Sequence, residues 1–150
     1  MSMEDIVRWL RSEHSDLNKY ADRLRESATR PPRGDRQRWI AELKQRFDDF
    51  AARLRERTAR EEADGYLRPV IEARPSLAAQ VALLKREHDE LNRIIASVGR
   101  AVHALTPGDN LLVRDCCKRI EDLLCWVERH EEHENHMVLY AFAKGAEAST

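Results

Sequence analysis

Helix breakers are scarce in this chain, with five glycines and five prolines among 150 residues. With 35% of the residues charged, that scarcity suits long helices with solvated faces. Cysteine is scarcer still. Three cysteines are an odd number, and Cys116 and Cys117 are neighbours, which argues against a disulfide framework and sets a reducing cytoplasm as the expectation. Small buried apolar residues are the commoner meaning of such a pair, and a redox pair the rarer one. No apolar run is long enough to cross a bilayer, and the acidic start Met1-Ser2-Met3-Glu4-Asp5 lacks the core of a signal peptide. Neither sign of charge is in surplus: 26 basic against 27 acidic residues give a net charge of -1. That excludes a dedicated binder of nucleic acid or of an anionic membrane. The expectation is one domain over residues 1–150, long enough to bury a proper core.

What the chain does have is helical periodicity. Ile6, Leu10, His14, Leu17, Ala21 and Leu24 form one stripe of a helix over 3–27. The arginine-rich break from Thr29 to Gly34 reads as a solvated loop. Asp35 can cap a second helix over 35–63, striped by Leu43, Phe47, Phe50, Leu54, Arg57 and Glu61. An arginine and a glutamate thus fall at two consecutive positions where a bundle core calls for leucine or isoleucine. Gly65, Pro69 and Pro75 end that helix, and Tyr66, Leu67, Val70 and Ile71 are expected to pack across the end of the bundle. The third helix, 76–105, carries the most regular stripe, with His88 in its middle. Thr106-Pro107-Gly108-Asp109 is a tight turn, and a fourth helix covers 110–144, with His130 or Glu131, then Glu134 and Val138, inward. Residues 145–150 carry no packing signal and are expected to fray. The fold class is all-α, an antiparallel up-down-up-down four-helix bundle. The breaks between helices disfavour the competing coiled-coil dimer.

The densest polar stretch, Glu128 to Tyr140, holds three of the six histidines. His130 and Glu134 are four apart and share a helical side with Leu123, Leu124, Val127, Met137 and Val138. An internal repeat places this stretch in a larger pattern. Leu10-Arg11-Ser12-Glu13-His14 with Leu17-Asn18-Lys19 matches Leu84-Lys85-Arg86-Glu87-His88 with Leu91-Asn92-Arg93, His88 lying 74 residues after His14. Glu61-Glu62 with Tyr66-Leu67 likewise answers Glu134-Asn135 with Leu139-Tyr140 at an offset of 73. The chain reads as two helical hairpins facing each other across a pseudo-twofold axis. The repeat asks for a histidine at position 57 to match His130, and the residue is Arg57. The inward polar set is therefore His14, Glu61, His88, His130 and Glu134, with a guanidinium where a sixth ligand would stand.

Imidazoles and carboxylates converging from four helices form the usual setting of a non-haem iron or manganese site, and burying so many ionisable groups without a cation is costly. On these motifs the chain resembles the hemerythrin-like (HHE cation-binding) domain family over nearly its whole length. The resemblance implies a four-helix bundle whose histidines and glutamates hold a non-haem di-iron centre that binds dioxygen, responds to nitric oxide, or senses oxygen, iron or redox state. Carried over by position, His14, Glu61, His88, His130 and Glu134 match family ligands, with Glu61 and Glu134 as bridging carboxylates. The family histidine of the second helix has no match. Arginine is permanently charged and has no lone pair to give a metal. Three outcomes stay open at this point. One ion can remain on His88, His130, Glu61 and Glu134. An iron pair can persist with a water or Glu62 filling the gap. Or Arg57 can pair with Glu61 or Glu134 and replace the metal.

The remaining polar residues take plainer readings. His133 and His136 fall on other faces of the last helix, His133 being a reserve ligand one turn from His130. His103 is expected to be exposed or to sit against a helix C-terminus. Tyr66 and Tyr140 read as core aromatics, and Trp9, Trp39 and Trp126 as edge packing or a homodimer face. The expected function is a cytoplasmic, non-enzymatic iron protein of the hemerythrin-like kind, with one or two ions and with dioxygen or nitric oxide as ligand. The alternative is a metal-free bundle acting as a structural or protein-interaction module. A non-haem iron oxidase or peroxidase ranks last, since nothing in the sequence specifies a substrate pocket.

Overall fold

The computed structural model describes residues 3–30, 34–63 and 65–148, and side chains other than those of Met3 and residues 143–148. Within them the chain forms α1 (Met3–Thr29), α2 (Arg36–Ala63), the short α3 (Arg68–Ala73), a 3-10 turn (Pro75–Leu77), α4 (Ala78–His103) and α5 (Asn110–Ala148). α1 packs beside α2 and α5, and α4 packs beside the same two, so the four long helices close into a bundle with α3 lying against α5. Among the described residues no helix is long and apolar enough to cross a membrane.

Local chemistry explains where the helices begin and end. α1 continues past Ser27 to Thr29, because Ala28 is buried against the core and the Thr29 hydroxyl donates back to the Arg25 carbonyl at 2.8 Å. Asp35 caps α2 as its sequence position suggests: its carboxylate accepts the Arg38 backbone N–H at 3.0 Å. Much of the arginine-rich loop, residues 31–33, lies outside the described residues. Pro75 and Ser76 form a 3-10 turn ahead of α4 rather than its first α-helical turn. α5 runs on to Ala148, through Gly145, so the fraying expected from residue 145 is not seen up to that point; residues 149–150 lie outside the description.

Two apolar clusters fill the bundle. The larger includes Leu17, Leu24, Leu43, Phe47, Phe50, Leu54, Ile95, Val102, Ile120 and Leu124. In it α2 and α4 approach so closely that a Cβ on Gly99 would meet the Phe47 ring at 3.2 Å. The smaller cluster joins Ile6 and Leu10 to Tyr66, Val70, Leu77, Val81, Leu84, Val138 and Ala141, so the segment after α2 does pack across the bundle end. Along α1, α4 and α5 the same polar interruption separates the two clusters, at His14, His88 and His130 to Glu134.

Candidate metal centre

The layer between the clusters contains His14, Arg57, Glu61, His88, His130, Glu131 and Glu134, all buried, with Arg57 1% and His130 and Glu134 0% exposed. Each long helix contributes because the inward stripe passes through this level. His14 comes from α1, Arg57 and Glu61 from α2, His88 from α4, and His130, Glu131 and Glu134 from α5.

The two histidines of the α4–α5 side are oriented from behind. His88 Nδ1 lies 3.0 Å from a Glu62 carboxylate oxygen, and His130 Nδ1 lies 2.7 Å from Glu87. A carboxylate accepting at Nδ1 fixes the N–H there in the neutral ring and leaves the Nε2 lone pair facing the interior. Both Nε2 atoms are buried without a hydrogen-bond partner. His88 Nε2 is 3.3 Å from Glu61 Oε2, and His130 Nε2 is 3.6 Å from Glu134 Oε1. The two rings meet edge to face with centroids 4.8 Å apart.

Glu134 is the hub. Its Oε2 accepts the Tyr66 hydroxyl at 2.7 Å, and its Oε1 is 3.3 Å from Arg57 Nη2 and 3.4 Å from His14 Nε2. Burial pushes its carboxyl up, but contact with His14 and the charges of His130 and Arg57, with the Tyr66 hydroxyl, outweigh that and hold it at about 2. Arg57 spans three carboxylates, reaching Glu131 at 2.8 Å, Glu61 at 3.0 Å and Glu134 at 3.3 Å. Burial works against its charge, yet the three carboxylates raise its pKa, so it remains a cation. Burial, and then Glu134, raise the Tyr66 phenol, which stays a neutral donor. Among the described residues, six buried side-chain atoms of this layer lack a hydrogen-bond partner: Nε2 of His14, His88 and His130, Nε of Arg57 and both oxygens of Glu61. His88, His130 and Glu134 each offer one ligand atom within 4.8 Å of the others. Two imidazoles and a carboxylate drawn together in this way suit a first-row transition metal.

A profile of the hemerythrin HHE cation binding domain matches residues 5–142. No curated protein and no solved structure gives a significant match. The chain belongs to the hemerythrin HHE cation-binding family. Its four-helix bundle is that fold, and its buried His88, His130 and Glu134 can hold a metal.

Within this hemerythrin-like bundle the structure brings His14, Glu61, His88, His130 and Glu134 into one buried layer. Arg57 points into the same layer and pairs with both glutamates. Three other contributors were not assigned these roles by sequence reasoning. Glu131 is buried beside Glu134 and takes Arg57's shortest contact, so His130 and Glu131 are both inward. Glu87 had stood only as a motif residue beside His88; its signal lay in the repeat, which puts a carboxylate one position before the histidine in both hairpins. Glu62 supports His88 from behind. Tyr140 is a correction: it is 49% exposed and stacks under the Arg74 guanidinium, and Leu139 is 56% exposed. The pairing of Leu139-Tyr140 with Tyr66-Leu67 therefore does not carry over to the core, since only the latter are buried. His133, His136 and His103 are exposed, His103 bonding Asp48. Trp39 is buried and donates its indole N–H to the Ser27 carbonyl, while Trp126 is 40% exposed. Burial pushes the Cys116 thiol up to about 11 and raises that of Cys117 as well, so neither is a ready thiolate at neutral pH.

A surface cleft of about 320 Å³ between α1 and α5 is lined by Asn18, Arg25, Glu128, Glu131 and Asn135. Glu131 is the member of the buried layer that borders this cleft.

Proposed function

We propose that this hemerythrin-like chain holds non-haem iron on His88, His130, Glu134 and Glu61, with His14 at the edge of the centre. In this reading it binds or senses a small ligand, dioxygen or nitric oxide, or reports iron or redox state, without turning over a substrate. The observation that carries the reading is the set of buried atoms without hydrogen-bond partners. The Nε2 atoms of three histidines and both Glu61 oxygens are desolvated in one layer, a costly arrangement that a cation at that place relieves. Glu62 and Glu87 supply the outer hydrogen bonds that metal-bound histidines ordinarily make. Bound iron would supply an electron-rich centre to which a diatomic ligand can attach. The chain's own part is to orient the two imidazoles, to keep Glu134 ionised through Tyr66 and Arg57, and to exclude bulk water by the apolar clusters on either side.

Arg57 favours one rival reading. Its three ion pairs already supply a buried positive charge, as a metal-free structural or interaction module requires. Elemental analysis of protein purified without chelators, with an optical spectrum, separates the two. Bound iron that chelator removes, with a fall in thermal stability, is the expected result. No transition metal beyond a trace, and melting indifferent to chelator, would establish the metal-free reading instead.

A further inference from the structure

We infer that Arg57 occupies the place of a second metal ion, so that the centre holds a single divalent cation on its His88–His130–Glu134 side. The inference rests on the proposed metal binding and adds the number and location of the ion.

The first support is the position of the guanidinium. The repeat equates Arg57 with His130, and Arg57 reaches the same Glu61 and Glu134 that a second ion would share. A guanidinium and a divalent ion cannot both occupy that position at these distances.

The second support is a loss of symmetry around the two halves. On the α4–α5 side both histidines are held from behind by carboxylates, His88 by Glu62 and His130 by Glu87. The repeat offers the other half equivalent positions, and neither does this work. Asn135 stands where Glu62 does, and no hydrogen bond joins it to His14 among the described residues. Glu13 stands where Glu87 does, and it pairs with Arg60 at 3.0 Å instead. One half keeps the outer bonds that orient metal-binding imidazoles, and the half containing Arg57 has lost them.

The third support is charge. Glu61, Glu131 and Glu134 bring three carboxylates into the layer, and Arg57 cancels one. Two negative charges remain, which one divalent ion neutralises. Glu131 belongs with this arrangement. Its repeat equivalent is Thr58, whose hydroxyl only bonds the Leu54 carbonyl, so the α4–α5 hairpin carries an added carboxylate that reaches across to the arginine of the other hairpin. Glu62 and Glu87 are partly exposed and lie outside this balance, where water screens them.

The test is equilibrium dialysis of the chelator-treated full chain against Mn2+, followed by electron paramagnetic resonance of the bound ion. The expected result is one ion per chain with the hyperfine pattern of an isolated Mn2+, rising toward two ions with the pattern of an exchange-coupled pair in Arg57→His. Two coupled ions in the unmodified chain, or no added ion in a folded Arg57→His, would overturn the inference while leaving metal binding intact. No bound Mn2+ and no bound Fe2+ in either protein would overturn the metal-binding reading itself. The unmodified chain decides the stoichiometry even where Arg57→His fails to fold. Two milder variants locate the ion. Glu87→Gln is expected to weaken Mn2+ binding by about tenfold or more, and Glu13→Gln to leave it unchanged. Equal losses in both would overturn the placement.

Discussion

Arg57 joins three buried carboxylates, and the energy of that arrangement is asymmetric. Pairing charges in the interior returns little net stability, but removing one partner strands the rest. Replacing Arg57 by Met leaves Glu61, Glu131 and Glu134 without their cation. Urea unfolding with chelator present is expected to show a loss of about 3–5 kcal/mol. A change within about 0.5 kcal/mol would mean the carboxylates do not depend on the guanidinium. Acid acts on the same group of residues. Glu134 is held at about 2 against an ordinary 4.5, so its contribution is present above pH 4.5 and drains away as the pH falls toward 2. The metal-free protein should lose stability through that window, and Glu134→Gln should flatten the loss there. His88 titrates in the other direction. Burial opposes its protonation, but Glu61 and Glu62 outweigh that and raise its pKa, so a proton competes with a metal for its Nε2. Metal affinity is therefore expected to fall as the pH drops below the raised His88 value, and an affinity flat with pH would contradict that competition. The five candidate ligands were legible as polar residues on apolar stripes. Glu131 was harder to assign because it follows His130, and a helix ordinarily turns adjacent residues to different sides; only the packing of α5 between α1 and α4, with Arg57 reaching across from α2, buries both.

The element that completes the site is the turn after α2. Gly65 has φ +88° and Leu67 φ 49°, so the chain passes twice through the left-handed region within three residues. That course buries Tyr66 in the smaller apolar cluster and brings its hydroxyl to Glu134. Tyr66→Phe is expected to cost about 1–2 kcal/mol through the lost bond to a buried carboxylate, read by thermal or urea unfolding, with metal affinity falling as Glu134 loses its donor. Gly65→Ala places a side chain at φ +88° and should cost about 1 kcal/mol from backbone strain alone. The helices were legible because His14, His88 and His130 keep the register of Leu10, Leu84 and Val127. Tyr66 and Tyr140 were not separable by sequence. Both follow a Glu at similar spacing, but one lies in a turn folded back over the bundle and the other on a continuing helix whose stripe has moved on.

At the scale of the whole molecule, the bundle is two apolar clusters with a charged layer between them. The periodicity and the repeat made that layout legible, since α1, α4 and α5 carry their polar residues between apolar runs and α2 carries Arg57 and Glu61 near its end, after Leu54. What they left open was how the polar residues pair, because that depends on interhelical distances of a few ångström. An ion that binds this layer in the folded chain and not in the unfolded one should raise the melting temperature, the gain growing with the logarithm of its free concentration over its dissociation constant. Metal ligation by His88, His130 and Glu134 is decided by Fe2+ binding to chelator-treated protein under anaerobic conditions. The unmodified chain is predicted to bind Fe2+ saturably, and His88→Ala, still helical by circular dichroism, to lose that binding. Equal Fe2+ uptake by both proteins, or none by either, would contradict it.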